Sequence, residues 1–185
     1  MRDWSLHLMD LAQNSVRAGA RRIALDVTLD SRGMLTMQIW DDGAGMDAET
    51  LARAESPFET GRDSRRFGLG LPLMGESCRL AGGEMRLSSR PGQGTTLTAT
   101  ADTHRPDCLP LGDLAATFCA LAAVHPQGPD FSLHCQSPQG EAQWDTREMK
   151  RAYGDPNALW APEVTAWMRA SIQEDIQPIF GGVIL

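Results

Sequence analysis

The sequence predicts an α+β fold in which a mostly antiparallel sheet packs against helices. Residues 3–18 place apolar side chains at helical spacing, and residues 22–29 and 34–40 alternate as the two strands of a hairpin do. A further helix over 70–81 then precedes a second hairpin over 84–101. At 185 residues the chain suits one domain, or a domain with a smaller appendage, and needs no disulfide or metal for its stability.

Charge and cysteine content exclude several classes of function. The net charge is −7, without a concentrated basic segment, which disfavours nucleic-acid binding. The four cysteines are widely spaced and form no C-x-x-C pair, so neither a zinc site nor a disulfide framework is indicated. The sequence has no signal peptide and no long apolar run, so we expect a cytoplasmic protein without a membrane partner.

The first predicted helix has one apolar face and one polar stripe. The stripe recurs at spacings of four, three, four and three residues, and Gly19 predicts the end of the helix. Its members are Asp3, His7, Asp10, Asn14 and Arg17. We expect His7 to be a partly exposed histidine of this face, with a place on the rim of a ligand site as the alternative.

Asp10 and Asn14 are the first candidates for chemistry, because residues four apart lie on the same helix face. An amide oxygen is a hard, neutral ligand suited to Mg²⁺, and a carboxylate can hold or deprotonate a nucleophile. Arg17, one turn further on, could reach a phosphate. The spacing alone favours the alternative, an ordinary solvated helix face.

The first hairpin ends in the segment Asp41-Asp42-Gly43-Ala44-Gly45-Met46. A carboxylate at the exit of a buried strand can accept a hydrogen bond from the amino group of a nucleobase. The following glycines let a ring approach the backbone. A simple turn followed by a helix cap is the alternative, and Asp47 is placed to cap a short helix through about Ala54.

A third segment suits an anion. Residues 55–68 are polar, basic and punctuated by glycines, and Arg66-Phe67-Gly68-Leu69-Gly70-Leu71 leads into a predicted helix over 70–81. Glycines ahead of a helix present backbone N–H groups to a phosphate, and the preceding loop could close over it as a lid. No Walker A sequence is present.

The order and spacing of these segments resemble the gyrase, chaperone, histidine-kinase and mismatch-repair (GHKL) ATP-binding superfamily over about residues 5–101. LMDLAQNSVRAGA resembles its N box, DDGAGM its first glycine box and GLGL its second. Gly94-Thr95-Thr96 resembles the strand that closes the site, and Phe58 in SPFETGR resembles the phenylalanine motif of histidine kinases. The resemblance implies an α/β sandwich whose mixed, largely antiparallel sheet packs on helices.

The resemblance also implies ATP and Mg²⁺ as cofactors. It places Asp10 at the general-base position, Asn14 at the magnesium position and Asp41 at the adenine position. The other implied nucleotide-binding residues are Arg17, Gly43, Gly45, Met46, Phe58, Arg66, Gly68, Leu69, Gly70, Leu71 and Thr95. Two positions depart from relatives: Asp10 is shorter than the Glu usual in ATP-hydrolysing members, and Arg17 stands where mismatch-repair proteins carry Asp.

From about Thr103 the character of the sequence changes, and Pro106 and Pro110 indicate a boundary between two parts of the chain. We therefore predict an ATP-binding domain over 1–102 and a small α/β domain of unknown role over 103–185. The predicted C-terminal elements are helices near 111–124, 146–153 and 162–175 and a strand pair near 130–145.

The expected function is that of a Mg-ATP-binding, kinase-like regulator that phosphorylates or signals to a partner protein. A slow ATPase switch and a non-catalytic nucleotide-sensing adaptor stay open, as does a homodimer. An orthodox sensor kinase is not expected, because only six residues precede His7 and leave no room for an upstream phosphoacceptor hairpin.

Overall fold

A computed structural model describes residues 2–55, 70–154 and 161–181 of the chain. Within these residues there are six helices and six strands. In chain order they are α1 Trp4–Arg17, β1 Arg22–Leu29, β2 Met34–Asp41, α2 Ala48–Glu55, α3 Gly70–Leu80, β3 Met85–Ser89, β4 Thr95–Asp102, α4 Leu114–Val124, β5 Asp130–Ser137, β6 Gly140–Asp145, α5 Thr146–Tyr153 and α6 Pro162–Phe180. No helix among the described residues is both long and apolar enough to cross a membrane.

The strands form one sheet in the order β3-β4-β2-β1-β5-β6. Neighbouring strands are antiparallel except β1 and β5, which run parallel. Alternate residues face the core, and Leu25 of β1 lies between Ile39 of β2 and Leu133 of β5. The predicted α+β fold with a mixed, largely antiparallel sheet is confirmed.

The helices α1, α3, α4 and α6 pack on one face of this sheet and on one another. Asp3 caps α1 by accepting a hydrogen bond from the Leu6 N–H at 2.9 Å. Gly19, just after the helix, has a positive φ of 74°, which a glycine adopts without strain. The α1 apolar face is buried as its spacing predicts, with Trp4 and Leu8 fully enclosed.

Three predictions about the helices are wrong in detail. His7 is 0% exposed, because α3 packs over this part of the polar stripe of α1. Helix α4 begins at Leu114 rather than near 111, since the Asp113 side chain caps it by accepting from Ala116 N–H at 2.7 Å. Helix α6 continues past 175 to Phe180, because its buried apolar stripe continues to that residue.

The segment after residue 102 extends the sheet of the N-terminal part. Strand β5 pairs with β1 and β6 pairs with β5. Helix α4 lies beside α1, and Thr117 Oγ1 donates a hydrogen bond to the Ser5 carbonyl at 3.4 Å. The division of the chain into two domains at residue 102 stays a prediction.

Candidate functional site

A cavity of about 700 Å³ lies between α1, the ends of β2 and β4, and the start of α3. Its volume falls within the range of roughly 300–1,000 Å³ that is usual for small-molecule sites. Seven residues singled out from the sequence line it: Asn14, Arg17, Asp41, Gly45, Met46, Leu71 and Thr95. These residues come from four separate segments, and the fold brings them to one place.

Asp41 forms part of the cavity wall and is held firmly. It is the last residue of β2, on the core-facing side of the strand, and is 3% exposed. Ser15 Oγ donates to Asp41 Oδ2 at 2.6 Å, and the Gly43 N–H donates to Oδ1 at 2.9 Å. Such hydrogen bonds offset the cost of burying a carboxylate. The acceptor-only carboxylate suits an amino group on a ligand.

The glycine turn after β2 is fixed between α1 and the turn that joins β3 to β4. The Ala44 N–H donates to the Ala18 carbonyl at 2.9 Å, and the Gly92 N–H donates to the Ala44 carbonyl at 2.7 Å. Gly45 has a φ of 65°, and a Cβ there would overlap the Arg90 carbonyl. This close approach of two backbones explains why position 45 requires glycine.

Ser89 joins the same two segments through its side chain. Its Oγ accepts from the Met46 N–H at 2.9 Å and donates to the Gly94 carbonyl at 2.8 Å. The Thr95 hydroxyl lies 3.0 Å away. Sequence reasoning missed Ser89. A signal was available, because Ser89 is a polar residue on the inward face of its strand, whose other inward residues are Met85 and Leu87.

Asn14 and Arg17 form a pair at the cavity wall. Arg17 Nη1 donates to Asn14 Oδ1 at 2.8 Å, so the guanidinium holds the oxygen that would bind a metal. Mg²⁺ in phosphate sites usually takes one or two protein oxygens and completes its shell with water and phosphate. A neutral amide oxygen at the wall of the cavity fits that donor set, although here it accepts from Arg17.

Asp10 of α1 lies beside the cavity and contacts the start of α3. It is not among the described residues that line the cavity. Its Oδ2 lies where a Cβ at Gly70 would be, so the carboxylate rests directly on the first residue of α3. The first backbone N–H groups of a helix have no partner within that helix. The carboxylate is therefore close to the positive end of α3.

His7 lies one turn before Asp10 on α1 and contacts the same helix. Its Nε2 is 3.2 Å from the hydroxyl of Ser77 on α3. Burial lowers the pKa of the His7 ring to about 4, so the ring is neutral at pH 7.

The remaining predicted site residues do not line the cavity or lie outside the described residues. Gly43 is buried beside Asp41, and Gly70 meets Asp10 outside the cavity lining. Phe58, Arg66, Gly68 and Leu69, with the predicted lid, lie outside the described residues. Sequence reasoning missed ten of the described lining residues: Leu11, Ser15, Ala18, Ile39, Ala44, Asp47, Thr50, Leu87, Pro91 and Leu97.

A family model matches this part of the chain. The model, described as "Histidine kinase-, DNA gyrase B-, and HSP90-like ATPase", covers residues 5–105, more than half of the chain. The chain belongs to this family. The GHKL resemblance read from the N box and the glycine boxes is thereby confirmed, and the domain is an ATP-binding one of the kinase-like and ATPase type.

Relatives of this family include sensor kinases. The chain is 33% identical over 96 residues to "Histidine protein kinase DivJ" of Caulobacter vibrioides and 37% identical over 92 residues to "Sensor protein kinase FleS" of Pseudomonas aeruginosa. Each match covers 49% of this chain, but only 16% and 23% of the respective relatives. The chain thus spans less than a quarter of the length of either relative.

A crystal structure of the N-terminal domain of a DNA repair protein is also similar to this chain. The two are 14% identical, with a TM-score of 0.49, over 79% of this chain and 52% of that one.

Proposed function

We propose that the chain binds ATP with Mg²⁺ in the cavity beside Asp41 and acts as a kinase-like regulator that phosphorylates, or signals to, a partner protein. The observation that supports this most is the buried carboxylate of Asp41, held by Ser15 and Gly43 at the wall of a cavity of about 700 Å³. The sensor kinases among its relatives support the kinase-like part.

The adenine ring would lie against Asp41. The carboxylate would accept a hydrogen bond from the exocyclic amino group, and Ser15 and Gly43 would keep it in place to do so. Apolar side chains that line the same cavity, among them Met46 and Leu97, would cover the faces of the ring.

The phosphates would extend towards Asn14, Arg17 and the start of α3. Mg²⁺ bound at Asn14 would neutralise charge on the phosphate oxygens. Arg17 would leave Asn14 and offset charge that develops during transfer. Asp10, whose carboxylate contacts the first residue of α3, would orient the incoming hydroxyl of the acceptor.

One observation favours a second function. Asp10 rests against Gly70 and is not among the described residues that line the cavity. A carboxylate held there suits a nucleotide-sensing adaptor, which binds ATP without consuming it and changes its contacts with a partner. The side chain of Asp is also shorter than that of Glu, which likewise favours the adaptor.

The adenine assignment is tested by Asp41→Asn. Asparagine keeps one oxygen, which can still accept from the Gly43 N–H, while its amide nitrogen takes the place of the oxygen that accepts from Ser15 and would meet the adenine amino group as a second donor. We expect the Kd for ATP, measured by calorimetry, to rise at least tenfold. Asp42→Asn is the matched control, because Asp42 is exposed. Its Oδ1 accepts from the backbone N–H groups of Arg21 and Arg22, and an asparagine oxygen can accept the same two bonds. Unchanged affinity in Asp41→Asn contradicts the assignment.

Incubation with γ-labelled ATP and Mg²⁺, with and without candidate partners, separates the functions. Label on a partner supports the kinase, and its stability in acid distinguishes a hydroxyl acceptor from a histidine. Free labelled phosphate alone indicates an ATPase switch. Tight binding without either product indicates the adaptor.

A further inference from the structure

We infer that His7 is a positioning residue that aligns the start of α3 with α1, and thereby aligns the phosphate end of the nucleotide site. This inference rests on the proposed function and names a residue that acts on that site without contacting the nucleotide.

The seam between α1 and α3 is defined by the contacts His7–Ser77 and Asp10–Gly70. His7 and Asp10 are three residues apart, and therefore share one face of α1. Gly70 and Ser77 are seven residues apart, which is about two turns of α3 and again one face. The two helices therefore face each other through these two contacts, one a polar contact and the other the Asp10 carboxylate on Gly70.

The polar contact satisfies only one of the two ring nitrogens of His7. His7 is 0% exposed, and its Nδ1 has no hydrogen-bond partner among the described residues. A buried nitrogen without a partner destabilises the folded state, and a phenylalanine would fill similar space without that nitrogen. Stability of the folded state therefore does not explain why position 7 holds a histidine.

A hydrogen bond supplies what an apolar contact lacks, namely direction. The distance of 3.2 Å between His7 Nε2 and Ser77 Oγ restricts how far α3 can slide or rotate along α1. Apolar burial carries no such directional preference. The neutral state of the buried ring keeps one nitrogen available as an acceptor for the Ser77 hydroxyl.

Alignment matters here because the fit at Gly70 leaves no free space. The Asp10 carboxylate occupies the place of the missing side chain, so a small slide of α3 brings its backbone into the carboxylate or away from it. The same slide moves the first N–H groups of α3 and Leu71 in the cavity wall. Asp41 is anchored separately through Ser15 and Gly43, so the adenine end should not respond.

The test compares affinities for ATP and adenosine in His7→Phe and His7→Gln. We expect His7→Phe to raise the Kd for ATP about tenfold and to leave the Kd for adenosine within twofold, with a melting temperature equal to or above that of the unsubstituted protein. In His7→Gln the side-chain amide can lie near the Nε2 position, so the Kd for ATP should stay within threefold of that of the unsubstituted protein. Ser77→Ala should weaken ATP binding as His7→Phe does, and the double variant should add nothing further.

The matched control is Ser5→Ala. Ser5 is also buried on α1, but its hydroxyl donates to Asp3 Oδ1 at 2.7 Å and not to α3. It should lower the melting temperature without changing the ratio of the two affinities.

Two results would overturn the inference alone: wild-type ATP affinity in His7→Phe, or an equal loss for ATP and adenosine, which marks a merely structural role. Absence of nucleotide binding by the unsubstituted protein would overturn the proposed function as well, so the two failures are distinguishable.

Discussion

Asp41 and Asp10 illustrate two ways in which the fold holds a carboxylate near the cavity. Asp41 is fixed by donated hydrogen bonds from Ser15 and Gly43. Asp10 is placed by shape, because the absence of a side chain at Gly70 leaves room for its carboxylate on α3. The first arrangement suits recognition of a fixed ring, whereas the second depends on the position of a whole helix.

The position of Asp10 is tested by Gly70→Ala. The added Cβ would overlap Oδ2 of Asp10, so the carboxylate must turn away or α3 must move. If Asp10 acts on the acceptor, we expect the rate of phosphoryl transfer or ATP hydrolysis to fall roughly 100-fold. The measurement is the turnover of γ-labelled ATP at saturating nucleotide.

Gly75→Ala on the same helix is the matched control, since a Cβ there meets only the Met85 side chain at ordinary contact distance. Its turnover should stay at the wild-type value. Equal turnover in Gly70→Ala and the wild type would show that Asp10 needs no such alignment.

At single residues, the limits of sequence-based prediction are physical. Spacing shows which helix face a residue occupies, but not which neighbour covers that face. His7 lies on the polar stripe as predicted, yet α3 buries it. Ser15 and Ser89 were missed for the same reason, since their hydroxyls gain a role only when Asp41 and Met46 come within reach.

At the scale of elements, the glycine turn after β2 and the turn between β3 and β4 form one unit. Ala44 accepts from the Gly92 N–H, and Ser89 bonds to both Met46 and Gly94. One wall of the cavity therefore depends on contacts between two turns that lie far apart in sequence.

This unit is tested by Ser89→Ala. The change leaves the Met46 N–H without its acceptor and removes a bond to Gly94, so we expect a loss of about 1 kcal/mol in the free energy of unfolding. ATP affinity should fall several-fold, because Gly45, Met46 and Thr95 line the cavity. Denaturant unfolding and calorimetry give the two values.

Ser88→Ala is the control, since Ser88 is the exposed neighbour on β3. Its affinity and stability should match the wild type within error. A similar loss in both variants would contradict the role given to Ser89.

Elements were predicted well where their signals are local. The local sequence pattern predicted β1, β2 and β4 nearly to the residue, and Asp47 caps a helix where expected. The parallel pairing of β1 with β5 is different, because it joins strands about a hundred residues apart and leaves no mark on the pattern of either strand. The longer α6 likewise depends on tertiary burial of its last turn.

At the scale of the whole molecule, the C-terminal segment supports the helix that carries Asp10 and Asn14. The first N–H groups of α1 would have no partner within the helix. Trp4 N–H donates to the Pro110 carbonyl at 3.0 Å, and Ser5 N–H donates to the Leu111 carbonyl at 2.9 Å. With β5 paired to β1, the segment after residue 102 also extends the sheet that carries the candidate site.

This arrangement predicts that damage within α4 destabilises the whole chain. Phe118 is fully buried in the core, so Phe118→Ala should lower the free energy of unfolding by about 3–5 kcal/mol. Because the sheet is shared, the native tryptophan fluorescence and the bound fraction of a nucleotide should be lost at the same denaturant concentration. Val124→Ala, at a position of the same helix that is 71% exposed, should change stability by no more than about 0.5 kcal/mol. Two separate transitions in Phe118→Ala, with nucleotide binding retained after the first, would instead support independent domains divided at residue 102.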